Sequence, residues 1–141
     1  MANFEMYAQE GNEFLKQVAI ELGSEDDREH AFRVTQAVFH ALRDRITIEE
    51  SMNLISELPM MLKALYVHEW DISQERKRYS SRHEFLKEVS AETQTGGIDF
   101  GSNPKEESQA VFRAVRTYIS EGEMANVKGQ LPKDIADLME A

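Results

Sequence analysis

Apolar residues recur along this chain every three or four positions, the period of an amphipathic helix. The first stripe runs Phe4, Tyr7, Ala8, Gly11, Phe14, Leu15, Val18, Ala19 and Leu22. Asn3 can cap its start, and Gly23 stands where a left-handed residue would end it. A second helix is expected over about 27–46, with Ser24 or Asp26 as cap. Asp27 and Glu29 suit the positive end of its dipole. Its Arg33, Gln36, His40, Arg43 and Asp44 form a narrow polar arc. Phe32, Val34, Val38, Phe39, Ala41, Leu42 and Ile46 fill most of the rest. So wide an apolar arc predicts a helix packed on more than one side.

Thr47 and Glu50 have the spacing of a capping box for a short helix ending near Leu58. Pro59 cannot continue that helix but suits the first position of another, over 60–67. From His68 to Ser80 no helical period survives, and this reads as a connection. Ser81 and Glu84 open a helix reaching about Glu92, and the glycine-punctuated run from Thr95 to Ser102 reads as a loop. Asn103 caps the next helix, with Pro104 at its first position and Glu106 and Glu107 in its first turn. Ser120 and Glu123 repeat the capping box, and Pro132 starts a last short helix. No segment reads as a strand.

The same text appears twice. Glu13-Phe-Leu-Lys-Gln-Val18 recurs as Glu84-Phe-Leu-Lys-Glu-Val89, displaced by 71 residues. Ala37-Val-Phe-His-Ala-Leu-Arg43 recurs as Ala110-Val-Phe-Arg-Ala-Val-Arg116, displaced by 73. That second displacement pairs Ile46 with Ile119, Glu50 with Glu123, Asn53 with Asn126, Leu58-Pro59 with Leu131-Pro132, and Leu65 with Leu138. The two-residue difference falls at Gly96 and Gly97, where insertion costs little. Core positions, caps and junctions agree in order, which chance does not produce. Each half, of about 66 residues, buries too little to be comfortable alone. The expectation is therefore an all-α fold over 1–141: two tandem four-helix repeats packed into one domain with approximate internal two-fold symmetry. Repeat one covers about 4–67, the connection about 68–80 and repeat two about 81–140.

Charge and composition then narrow the function classes. The 141 residues carry a formal net charge of −10, which argues against a large surface for nucleic acid or anionic membrane. Cysteine is absent, so disulfides, thiolate metal sites and cysteine nucleophiles are excluded. The N-terminus lacks a basic region ahead of an apolar run, and no stretch approaches the ~18–20 apolar residues of a membrane span. A cytoplasmic location is the default expectation.

The helix carrying Glu-Phe-Leu, the Ala-Val-Phe helix, the Leu-Pro junction and a following Tyr-x-x-x-Trp-Asp together resemble the prokaryotic family called domain of unknown function 2267. The resemblance spans roughly Phe14 to Leu138 and includes the duplication. Its most specific pieces are Leu58 to Tyr66 leading into Trp70-Asp71, and Ile119 to Glu123 leading into Gln130-Leu131-Pro132. The resemblance implies an all-helical protein and brings no established activity. One departure bears on turn geometry. Where the family has glycine, tryptophan, then aspartate-proline, Glu69 and Ile72 stand in the flanking places.

No residue set here carries a recognisable chemistry. His30, His40, His68 and His83 are scattered, and His30 and His40 fall about 80° apart on a helical wheel. They are expected as surface or capping residues, with no metal site, although His68, Glu69 and Asp71 could supply nitrogen and oxygen ligands. The serines sit at helix starts, where capping explains them, and no nucleophile elbow is present. The loop at Thr95 to Gly101 lacks the Gly-Lys-Ser/Thr ending and the preceding strand of a phosphate loop. Paired carboxylates fall in first helical turns, and the Glu-x-x-His motifs of a di-iron bundle are missing. No catalytic residue and no cofactor is assigned.

One electrostatic oddity remains. Arg76, Lys77, Arg78 and Arg82 cluster beside Trp70 and Tyr79 in an acidic protein. They could receive an anionic ligand, a nucleic-acid strand or an acidic partner, or they could simply balance acidic neighbours. Trp70, four residues after Tyr66, can lie back on the preceding helix. The favoured expectation is a non-enzymatic interaction or regulatory module whose partner the sequence leaves open, another protein being one candidate. The alternatives are a ligand-binding protein or enzyme using a cleft between the repeats, and more weakly a nucleic-acid binder using the basic connection.

Overall fold

The computed structural model describes residues 3–77, 80–94 and 103–140. Among them are eight α-helices and no strand: α1 Glu5–Glu21, α2 Arg28–Arg43, α3 Ile48–Glu57, α4 Met60–Val67, α5 Arg82–Thr93, α6 Pro104–Arg116, α7 Glu121–Gly129 and α8 Lys133–Ala136, followed by a 3₁₀ turn at Asp137–Met139. No helix among the described residues is long and apolar enough to cross a membrane. The glycine-rich run at 95–102 lies outside the described residues.

Local chemistry sets most boundaries. α1 ends with Gly23 at φ 78°, and the amides of Gly23 and Ser24 bond back to Ile20 and Ala19 in a Schellman arrangement. Asn3 accepts from the Glu5 amide at 3.1 Å, one position ahead of the assigned cap. α2 is capped by Asp27, which accepts from the His30 amide at 3.0 Å, rather than by Ser24 or Asp26. It also ends at Arg43, short of Ile46, because Asp44 and Arg45 already leave the helix. Pro59 and Pro132 stand just ahead of α4 and α8 in extended backbone instead of inside their first turns.

α2 touches α1, α4, α5 and α6, which accounts for its wide apolar arc. Phe14, Phe39 and Tyr66 form an aromatic spine, with ring centroids 6.4 Å and 5.5 Å apart. Phe85, Val89, Val111 and Phe112 from the second half join the same buried cluster. Burying each large side chain contributes roughly 1.5–3 kcal/mol. α1 and α4 approach closely at Gly11, where a Cβ would stand 2.9 Å from Met61 Cβ.

Several cross-half contacts come in matched pairs. The Arg113 guanidinium reaches Glu21 at 2.8 Å, and His40 reaches Glu92 at 3.0 Å. The Thr47 amide donates to Gln130 at 2.8 Å, and the Ser120 amide donates to Glu57 at 2.7 Å. Within each half, Arg43 donates to the Tyr66 carbonyl at 2.7 Å, as Arg116 does to that of Met139. Leu58 and Leu131, ahead of the two prolines, are both buried.

Candidate functional site

The connection after α4 folds back on α2. Trp70 packs edge-on against Tyr66 at 5.9 Å, and the Arg43 guanidinium lies 5.7 Å from its ring centre. Arg43 is itself buried, donating to the carbonyls of Tyr66 and His68 at 2.7 and 2.8 Å and so closing the end of α4. Burial lowers its pKa from the ordinary value, against the pull of Asp44. Tyr66 is also fully buried, bonds to Ser51 at 2.7 Å, and has its phenol pKa pushed up by burial. Glu69 takes φ 57°, the left-handed region that favours glycine.

Trp70, Arg76 and Lys77 come together around a depression of about 260 Å³. Asp44, Glu69, Asp71 and Glu75 line the same depression, so its charge is mixed. Arg76 donates to the Arg45 carbonyl at 3.2 Å. Lys77 is tied at both ends, its amide to the Asp44 carbonyl at 2.7 Å and its ammonium to Glu88 at 3.1 Å. Arg82 lies apart from them at the start of α5, donating to Asp134 through its amide and its side chain. Arg78 and Tyr79 fall outside the described residues.

Two of the four histidines depart from the surface expectation. His40 is buried, with Nδ1 3.0 Å from the Glu92 carboxylate and Nε2 3.1 Å from the Leu65 carbonyl. Both partners accept, so only the imidazolium donates to both. His30 is partly buried, 2.6 Å from Glu107. His68 and His83 are exposed, as expected. His40 and Glu92 line a small cleft of about 210 Å³ between α2 and α5 with Asp44, Lys77 and Glu88. Burial raises the Asp44 pKa, opposed by Lys77. In this cleft each charge already faces an opposite one. Among the described residues no group of three or more histidine, aspartate and glutamate side chains could hold a metal.

A larger concavity lies elsewhere, in a groove of about 530 Å³ between α1, α2 and α4. Ala8, Leu15, Phe32, Met61 and Leu65 line it, with Asn12, Gln36 and His68 as its polar members. Phe32 is 39% and Met61 45% exposed, so two large apolar side chains face the same opening. The α1 stripe explains the groove: Gly11, Phe14, Val18 and Ala19 are buried, whereas Phe4 and Ala8, on the same stripe, have nothing over them. Sequence reasoning found the stripe and missed the groove, because the stripe does not show where its cover stops. By contrast, the apolar space between the two halves, lined by Phe39, Leu42, Phe112 and Val115, holds only about 10 Å³.

The profile of the family described as "Uncharacterized conserved protein (DUF2267)" matches residues 11–138. No curated protein matches the chain.

Proposed function

The chain belongs to this family, which assigns no activity, and from that premise we propose that it is a non-enzymatic interaction module docking another protein in the α1/α2/α4 groove. A single observation carries the reading: this groove of about 530 Å³ is apolar and bordered by the flexible, half-exposed side chain of Met61. The occupant is a basic amphipathic helix. Its apolar face fits a groove walled by three helices, and its charge suits a protein of net charge −10. The scaffold behind the groove is one domain of two four-helix copies related by an approximate two-fold. The matched pairs Arg113–Glu21 with His40–Glu92, and Thr47–Gln130 with Ser120–Glu57, support that arrangement.

A second reading places the contact at the connection. Trp70 and Arg76 flank the 260 Å³ depression there and could receive an acidic partner. The internal bonds of Lys77 and Arg82 and the carboxylates around the depression weigh against it. An enzyme acting between the halves finds its best support in the His40–Asp44 cleft, whose Lys77 is already engaged by Asp44 and Glu88 and whose His40 is held by Glu92.

The test uses a designed Leu/Lys amphipathic helical peptide and amide chemical-shift mapping. Docking in the groove predicts shifts at Ala8, Asn12, Phe32 and Ala64, and at least tenfold weaker binding in Met61→Glu. Shifts centred on Trp70 and Arg76 instead would transfer the site to the connection.

A further inference from the structure

Glu50 and Glu123 occupy corresponding places, each in the first turn of its helix and each amide bonding back to the cap hydroxyl at 3.1 Å. α3 and α7 pack together, and both side chains are enclosed there, Glu50 8% and Glu123 5% exposed. Glu50 lies within hydrogen-bonding reach of Glu123 and acts on it as a like charge. A bond between the two requires a proton, because two carboxylates only accept. The Oε2 atom of each is buried without a partner. Around the pair run the two reciprocal amide bonds, Thr47 to Gln130 and Ser120 to Glu57.

We propose that Glu50 and Glu123 form a proton-sharing carboxyl dyad that latches α3 to α7, closed while the pair holds one proton and loosened when it is fully ionised. The helices run antiparallel, the N-terminus of each beside the C-terminus of the other, so their dipoles supply no net positive field for two carboxylates. A second negative charge on the pair would sit beside the first, out of water, and is disfavoured. The other groups acting on Glu123 are Glu57 of α3, which opposes its ionisation, and the Asn126 amide of α7, which favours it. Tyr66 of α4 feels the Glu50 charge but is bonded to Ser51. Nearby lysines are engaged elsewhere: Lys63 with the Ile55 and Ser56 carbonyls, Lys128 with Glu140, Lys133 with Asp137. Burial and the neighbouring Glu50 together push Glu123 up to about 7.

The sign of the pH effect follows. Unfolding returns Glu123 to its ordinary value of 4.5, so between 4.5 and about 7 the folded chain binds the extra proton. Its contribution to stability is complete below that window and is lost as pH rises through about 7.

Thermal melts of the intact chain and of Glu123→Gln, from pH 5 to 8, test this. The glutamine keeps the hydrogen bond and cannot ionise, so the two midpoints should agree at pH 5. At pH 8 the variant should melt several degrees higher. A difference that stays flat across this range overturns the proposal. Carboxyl-carbon NMR on the unmutated chain gives an independent reading should the variant not fold. One carboxyl of the pair should titrate near 7, with the Thr47 and Ser120 amide shifts following that midpoint. Both carboxyls titrating in the ordinary range of about 4–5 would refute the dyad.

Discussion

Single residues in this protein take their character from what the neighbouring helix does with them. His40 and Arg43 lie on the polar arc of α2, which a wheel would face to solvent, yet both are buried. The end of α4 comes down on that arc, and the carbonyls of Leu65, Tyr66 and His68 turn it into a set of internal donors. Periodicity records polarity, not depth, so this burial was not legible. The Trp70–Tyr66 contact was, because a four-residue spacing is a local constraint. Glu69 yields a direct prediction. Its φ of 57° is strained for a side chain and free for glycine. Relief of ~1–2 kcal/mol of left-handed strain, less glycine's ~0.5–1 kcal/mol of added chain entropy, leaves Glu69→Gly more stable by roughly 0.5–1 kcal/mol. Urea unfolding measures it, and a variant no more stable than the parent would show that the turn's cost lies elsewhere.

At the scale of elements, caps were the most readable feature, since they join residues three apart. Thr47, Ser81, Asn103 and Ser120 each accept from the third following amide, as their spacing predicts. The second half of two capping boxes was not readable. In α3 and α7 the glutamate does not return to the cap amide, because Gln130 and Glu57 arrive from the opposite half and take its place. Those partners lie 83 and 63 residues away, beyond any local pattern. This released Glu50 and Glu123 to meet each other. Gln130→Ala removes the acceptor from the Thr47 amide and should cost about 1 kcal/mol, the usual worth of a helix cap. Gln130→Glu keeps an acceptor oxygen and should recover part of that loss. Equal destabilisation by the two would mean that the glutamine matters for packing and not for the bond.

For the whole molecule, the question is whether either half is a folding unit. α2 buries one side against α1 and α4 of its own half and the other against α5 and α6. Cutting after residue 77 would uncover Phe39 and Leu42, and would unpair Glu21 from Arg113 and Thr47 from Gln130. A chain of that length buries only about 60% of its unfolded surface even when well formed, so it has no margin for such a loss. The isolated segment 1–77 should therefore show residual helix by circular dichroism but no cooperative thermal transition. Mixing it with segment 80–141 should restore one, because the two present matching apolar faces. A sharp, concentration-independent melt for 1–77 alone would instead make the first half a self-sufficient domain. The second half would then be an appended copy, not half of the core.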